Sequence, residues 1–219
     1  MAEIRREAVW GGWLRLSHLL VGLSVLVLMA TGWLLPRAPR IEALAADLHY
    51  YAASLLIVGL ALRLWRLFAG GPVERWSQLM PEDAEWPAVG QMLRFYVSFG
   101  RAPLPRWYAH NPLWKPLYLL LYVLLLVLAA TGILQQQHAL LWGIYLPDVH
   151  QVFATATAIL VVAHIVTAVL HDYRGEADDV SGIINGHRLF VVDKSLLDDA
   201  GMQETVVRLD QIGRPPKDA

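Results

Sequence analysis

Residues 149–172 read VHQVFATATAILVVAHIVTAVLHD, a segment apolar enough to cross a bilayer, with His150 near its start and His164 fourteen residues later. A spanning helix needs about 20 apolar residues, because the hydrocarbon core is about 30 Å thick. Three further segments have the same character, and the sequence predicts transmembrane helices at about 14–35, 48–69, 113–134 and 148–171. A soluble helical bundle would need polar outer faces, which these segments lack.

The positive charges are distributed unevenly between the connections. Sixteen of the 18 Lys and Arg residues lie at the two chain ends or in and beside the connection at 70–115, and two lie in the loop after the first helix. Because positively charged loops stay in the cytoplasm, both termini and the long connection are predicted to be cytoplasmic. The first helix is expected to remain in the mature protein, since its apolar run is too long for a signal peptide and no cleavage site follows.

The predicted fold class is therefore all-α, an integral membrane four-helix bundle with both termini cytoplasmic, comprising a membrane domain at 1–192 and a cytoplasmic tail at 193–219. A short cytoplasmic amphipathic helix is predicted at 86–99, where apolar residues recur at helical spacing, namely Val89, Met92, Leu93, Tyr96 and Val97. This helix either lies on the membrane surface or packs against the bundle. Ala-Thr-Gly at 30–32 is repeated at 130–132, which indicates two related helical hairpins.

The chain has no cysteine, which excludes disulfides, thiolate metal sites, iron–sulfur clusters and covalently attached haem. Histidines are the remaining candidates for metal ligands. Fourteen residues of α-helix rise about 21 Å and nearly complete four turns, so His150 and His164 share a face at two depths. By the predicted orientation, His49 matches the depth of His150, and His18 matches that of His164.

Each of these pairs comes from two different helices, and two facing imidazoles are the axial ligands of a bis-histidine haem. The pattern therefore predicts two haem b groups, with iron bound by His49 and His150 and by His18 and His164. Taken singly, His49 and His150 could be caps at the membrane interface, and His18 and His164 could be hydrogen-bonded core residues. Copper or zinc is the alternative metal, and would need a third or fourth ligand at each pair.

Other polar residues admit two interpretations. Arg63 lies at the depth of the inner pair, where it either binds a haem propionate or extends to the cytoplasmic interface. His171 ends the fourth helix and is expected to interact with the helix dipole. The three remaining histidines are expected to be exposed loop or tail residues, namely His110, His138 and His187.

At these residues the sequence resembles the four-helix b-type cytochromes of Ni/Fe-hydrogenases and formate dehydrogenases, within the bacterial cytochrome b561 group. The resemblance is carried by WLRLSHLL with His18, DLHYYAASLL with His49, NPLWKPLYLLLY, the two ATG motifs, the His150 and His164 pair, and DVSGIINGHRLF at 179–190. It implies the same two pairings of histidines. It also implies quinone reduction near the inner haem, where Asn111 matches a residue of the quinone pocket in formate dehydrogenase members.

The resemblance implies a membrane subunit that passes electrons between a periplasmic redox partner, of hydrogenase or formate dehydrogenase type, and the quinone pool of the bacterial inner membrane. Catalytic and iron–sulfur subunits are the expected partners, menaquinone or ubiquinone is the expected substrate, and no nucleic acid is expected. Catalysis by this chain alone is expected only at the quinone site. A standalone quinone-linked oxidase, for example of superoxide, is the alternative, and a cofactor-free anchor or transporter bundle is the third possibility.

Overall fold

The computed structural model describes residues 2–174 and 179–193. Contacts divide the chain into two units, Ala8–Arg188 and a second unit formed by the two terminal segments. The first unit contains the helices, which are α1 (Gly12–Leu34), α2 (Glu42–Ala69), α3 (Trp86–Val97), α4 (Trp114–Leu134), α5 (Leu146–Tyr173) and α6 (Asp179–Asn185). Strands β1 (Ala2–Ala8) and β4 (His187–Asp193), most of whose residues belong to the second unit, pair as a two-stranded sheet. The predicted tail at 193–219 lies outside the described residues except for its first position.

Within the described residues, four helices are long and apolar enough to cross a membrane, which confirms the predicted all-α membrane fold, while the cytoplasmic location of both termini stays a prediction. Three of the observed helices begin before the predicted apolar segments, most clearly α2, which begins at Glu42 and not at Leu48, whereas α4 begins one residue later than predicted. Hydropathy marks the part of a helix that crosses hydrocarbon, whereas good helix formers such as Glu, Ala and Leu continue the helix into the polar region. Most apolar side chains of these helices are exposed, as expected for surfaces in contact with lipid.

The two ends of the bundle differ in structure. We call the end that carries α3 and α6 the base, and the other end the hairpin end. At the hairpin end, strands β2 (Leu140–Leu141) and β3 (Ile144–Tyr145) form an antiparallel hairpin in which Leu140 pairs with Tyr145. Its two-residue turn places Gly143 at a φ of 82°, a conformation that glycine adopts without steric cost.

The amphipathic helix α3 packs against the bundle at the base. Met92 and Phe95 are fully buried there, and Leu104 and Leu170 join the same cluster. Only part of the predicted apolar set packs there, because Leu93 and Val97 are exposed, while the buried Phe95 was not among the residues noted in the sequence. The side of α3 that carries Met92 and Phe95 therefore packs against the bundle, and the side that carries Leu93 and Val97 is exposed.

The loop that leads into α4 also folds against the base. The expectation that His110 is exposed was wrong, because its side chain is buried between two aromatic rings. The ring centroids lie 5.3 Å from Trp10 and 6.0 Å from Tyr118. Burial lowers the pKa of His110 to about 3, and the neighbouring positive charges, including Arg63 and Lys115, act in the same direction.

Close packing of α1 against α2 depends on Gly59. A Cβ at this position would lie 2.9 Å from the Cβ of Leu20 and 3.2 Å from the main-chain nitrogen of Val21. Small residues permit such backbone approach between membrane helices. The neighbouring core of the bundle consists of Val25, Leu56, Leu60 and Leu125.

We expect Gly59→Ala to destabilise the protein by about 1–3 kcal/mol, because neither neighbouring atom is the flexible end of a side chain and the helices must separate. The measurement is thermal unfolding of the purified protein in detergent. Gly90→Ala in α3 is the control, since no atom lies within 4 Å of the Cβ it would add. Equal melting temperatures for the two variants would contradict this role of Gly59.

The low pKa of His110 predicts a loss of stability in acid. Between the ordinary histidine pKa of 6.5 and about 3, the unfolded chain binds a proton that the folded chain does not, so stability falls as the pH decreases through this window. We expect His110→Phe to unfold with a smaller difference in melting temperature between pH 7.5 and pH 5 than the unaltered protein. His138→Phe, at an exposed histidine, should leave that difference unchanged.

Candidate functional site

One face of α5 carries polar residues at intervals of seven, namely His150, Thr157, His164 and His171. Seven residues rise about 10.5 Å and end within about 20° of two full turns, so these side chains form a line along the helix. Thr157 and His171 are buried, with 2% exposure each. This line therefore faces the interior of the bundle, and the sequence analysis identified only His150 and His164 as members of it.

The structure brings His18 of α1 and His164 of α5 together. Their ring centroids are 6.3 Å apart, and the ring planes are inclined by 62°. An imidazole nitrogen bonds a metal ion at about 2 Å, and the ring centre lies about 1 Å further away, so two imidazoles on one iron have centroids roughly 6 Å apart. The separation of His18 and His164 therefore fits axial ligation of one haem.

Two aromatic rings of α4 hold the imidazole of His164. The centroid of Trp114 lies 5.1 Å away and that of Tyr118 lies 5.7 Å away, both in edge-on contact. Tyr118 occupies the position in the second half of the chain that corresponds to His18 in the first half. Of these two related positions, the one in α1 carries a candidate haem ligand, His18. The one in α4 carries an aromatic ring that packs on another candidate ligand, His164 of α5.

The repeated Ala-Thr-Gly motifs make the same contact in both halves of the bundle. Thr31 Oγ1 lies 2.8 Å from His49 Nδ1, and Thr131 Oγ1 lies 2.9 Å from His150 Nδ1. The glycines that follow these threonines also face the imidazoles, since a Cβ would lie 3.6 Å from His49 Cε1 and 3.4 Å from His150 Cε1. The sequence analysis noted the repeat and assigned it no role.

The threonine hydrogen bonds fix the tautomers of both histidines. Thr31 donates its hydroxyl proton to the carbonyl of Val27 at 2.8 Å, and Thr131 donates to the carbonyl of Val127 at 2.8 Å. A hydroxyl has one proton, so each threonine must accept a hydrogen bond from its histidine. The proton of His49 and of His150 is thus on Nδ1, which leaves Nε2 free to bind a metal.

Arg63 is buried inside the base, and the alternative that it extends to the membrane interface stays a prediction. Its Nε donates to the hydroxyl of Tyr122 at 2.9 Å, and its Nη1 donates to the carbonyl of Glu74 at 3.1 Å. Its charge lies close enough to His18 to interact with the imidazole. Binding of a haem propionate by Arg63 stays a prediction.

Asn111 lies in a buried polar cluster at the base. Its Nδ2 donates to the hydroxyl of Tyr96 at 3.1 Å, and its Oδ1 accepts from the main-chain nitrogen of Leu113 at 3.0 Å. The Tyr96 hydroxyl also lies 2.9 Å from His171 Nε2. Burial raises the pKa of Tyr96 to about 12, so the phenol keeps its proton at neutral pH. A quinone-binding role for Asn111 stays a prediction.

His171 is part of this cluster and is fully buried, and its surroundings go beyond the expected interaction with a helix end. Its Nδ1 lies 2.8 Å from a carboxylate oxygen of Asp179 in α6. No pattern in the sequence indicates this cluster, because packing of α3 and α6, and not a helical repeat, brings Tyr96 and Asp179 to His171.

Comparison with known proteins identifies the family of the chain. The model of the family described as prokaryotic cytochrome b561 matches residues 9–186. A relative from Bradyrhizobium diazoefficiens, named "Probable Ni/Fe-hydrogenase B-type cytochrome subunit", is 26% identical over 206 residues, which cover 80% of this chain and 83% of the relative. No solved structure gives a significant match. The matched region contains every histidine of the two candidate sites, and four of the described helices can span a membrane. The chain is therefore a membrane electron-transfer cytochrome that belongs to the prokaryotic cytochrome b561 family.

Proposed function

We propose that this cytochrome binds two haem b groups and passes electrons across the membrane between a hydrogenase-type partner and the quinone pool. The observation that carries the proposal is the 6.3 Å separation of the His18 and His164 ring centroids, a spacing that suits two ligands of one iron. His49 and His150 are the ligands of the second haem in this proposal. Haem b supplies reversible one-electron chemistry when it is bound.

The protein residues contribute position and environment to both sites. The rings of Trp114 and Tyr118 hold His164 against rotation, and the hydroxyls of Thr31 and Thr131 hold His49 and His150 with Nε2 unprotonated. Arg63 adds a buried positive charge near His18, which favours binding of an anionic group such as a haem propionate.

The charge distribution and the Bradyrhizobium relative together support a direction for electron transfer across the membrane. Sixteen of 18 Lys and Arg residues lie on the base side by sequence, which supports a cytoplasmic base and a periplasmic hairpin end in the inner membrane. The name of the Bradyrhizobium relative supports a Ni/Fe-hydrogenase as the partner. Electrons would then enter at the His49 and His150 level and leave at the His18 and His164 level, where a quinone is reduced.

The first test measures haem content. We expect purified protein to contain two haem b per chain by the pyridine haemochrome assay, and His18→Ala or His164→Ala to lose about half of it, because removing one axial ligand leaves the iron without its partner. His138→Ala, at an exposed histidine of the hairpin end, should keep both haems. Retention of two haems in His18→Ala and in His164→Ala would refute the assignment of this pair.

The second test concerns the threonines. Thr31→Val and Thr131→Val keep the side-chain shape and remove the acceptor of the Nδ1 proton, so we expect haem affinity at the His49 and His150 level to fall about 10–100-fold. The midpoint potential of one haem should shift, while that of the other remains constant. Thr155→Val is the matched control, since Thr155 is an exposed threonine of α5 with the same type of helical hydrogen bond, to the carbonyl of Gln151. A shift of both potentials, or of neither, would contradict the proposed role.

A further inference from the structure

Helix α3 has two apolar sides, and the bundle covers only one of them. Met92 and Phe95 are fully buried against the base, whereas Trp86, Leu93 and Val97 are exposed by 58%, 51% and 79%. At 3.6 residues per turn, these three exposed side chains fall within about 40° of arc around the helix. We call Trp86, Leu93 and Val97 the outer face of α3.

The exposed polar residues of the same helix lie on a different side. Gln91 and Arg94 are exposed, and helical geometry turns them by about 120° and 60° from Val97. Exposed residues of a helix that water surrounds need no such sorting, whereas a helix between two media separates its apolar and polar residues. The sorting therefore indicates that the outer face meets an apolar medium and that the side of Gln91 meets water.

An exposed aromatic residue follows the outer face at the end of the helix. Phe99 N–H donates to the carbonyl of Tyr96 at 3.0 Å, and Gly100 N–H donates to that of Phe95 at 2.9 Å. This pattern places Phe99 in the left-handed conformation, with a φ of 52°, at a position where glycine is usual. The Phe99 side chain is also 85% exposed. A bulky residue with both disadvantages is best explained by a surrounding outside the chain that favours its ring.

The end of α3 meets α5 where the apolar part of the spanning helix finishes. A Cβ on Gly100 would lie 3.3 Å from Leu170 Cδ1 and 3.6 Å from Arg174 Cδ. Leu170 is next to the end of the predicted span at 148–171, and Val166 and Val169 of the same helix are exposed apolar residues that suit contact with lipid. The outer face therefore continues the lipid-facing surface of the bundle at the level where hydrocarbon gives way to phospholipid headgroups.

Positive charge is concentrated at the same end of α3. Arg94, Arg101 and Arg174 are exposed, and within the described residues neither Arg94 nor Arg101 forms an ion pair with a carboxylate. The acidic residues Glu82 and Asp83 lie before the other end of the helix. Arginine side chains at a membrane surface reach the lipid phosphates while their apolar neighbours reach the acyl chains.

We propose that the outer face of α3 and Phe99 insert into the surface of the bilayer at the base. Helix α3 then packs on the bundle with one side and on phospholipid with another, and the side of Gln91 faces water. A second copy of this chain or a soluble protein could also cover an apolar face. Continuity with the lipid-facing surface of α5 and the arginines at the same end favour phospholipid over both.

The test uses the absence of cysteine from the chain, since a single introduced thiol is then the only one present. Val97→Cys and Gln91→Cys place that thiol at two exposed positions of one helix. The full chain is placed in nanodiscs of phosphatidylcholine and phosphatidylglycerol and treated with a charged, water-soluble maleimide. We expect Val97→Cys to react about tenfold or more slowly than Gln91→Cys, because the reactive thiolate is disfavoured in apolar surroundings. The two rates should become equal after unfolding in sodium dodecyl sulfate.

A photochemical measurement identifies what covers the outer face. Each introduced cysteine is modified with a benzophenone maleimide before the protein is placed in nanodiscs, and the products of irradiation are analysed by mass spectrometry. We expect phospholipid adducts at position 97 and few at position 91. Both labelled variants should keep the melting temperature of the unaltered protein, since both positions are exposed.

Three results would overturn the proposal. Equal maleimide rates at the two positions in nanodiscs would show that water reaches the outer face. Slow reaction at position 97 together with a covalent dimer would show that a second copy of the chain covers it. Adducts at position 97 with protein alone, and none with phospholipid, would likewise exclude contact with the bilayer. None of these results depends on haem, so the proposed function stands or falls separately.

Discussion

A buried imidazole in a membrane protein must find its hydrogen-bond partners within the protein, because hydrocarbon offers none. This constraint governs the interior of the bundle described here. His49 and His150 are each satisfied on Nδ1 by one threonine hydroxyl, and His171 is satisfied on both nitrogens by Tyr96 and Asp179. In each case the partner also decides which nitrogen carries the proton. The protein thereby separates imidazoles that can bind a metal from one that is committed to hydrogen bonds at both nitrogens.

The two halves of the bundle share the arrangement at the hairpin end and differ at the base. Thr31 with His49 and Thr131 with His150 are the same contact made by two related helical hairpins. At the base the symmetry is lost, since α1 carries His18 and α4 carries Tyr118, which packs on His164. The two hairpins thus share one level and differ at the other.

The sequence predicted the four spans because each is a long run of apolar residues, and hydropathy depends only on local composition. It also predicted that His18 and His164 lie at one depth, because positive charges fixed the direction of each helix and helical rise fixed the depth. It did not predict the burial of His110 or the contact between Tyr96 and His171. Both depend on how α3 and the loop that leads into α4 fold against the base. Tyr96 and His171 are 75 positions apart, and no repeat in the sequence connects them.

The hairpin end and the base differ in whether the groups near their histidines can ionise. At the hairpin end, the partners of His49 and His150 are threonine hydroxyls, which do not ionise at any physiological pH. At the base, the neighbours of His164 lead through Trp114 and Tyr96 to His171 and a partly exposed carboxylate. A level built from non-ionising partners suits transfer of electrons alone. The base has ionisable groups one side chain away from a proposed haem ligand, which suits the proposed reduction of a quinone because that reaction takes up protons together with electrons.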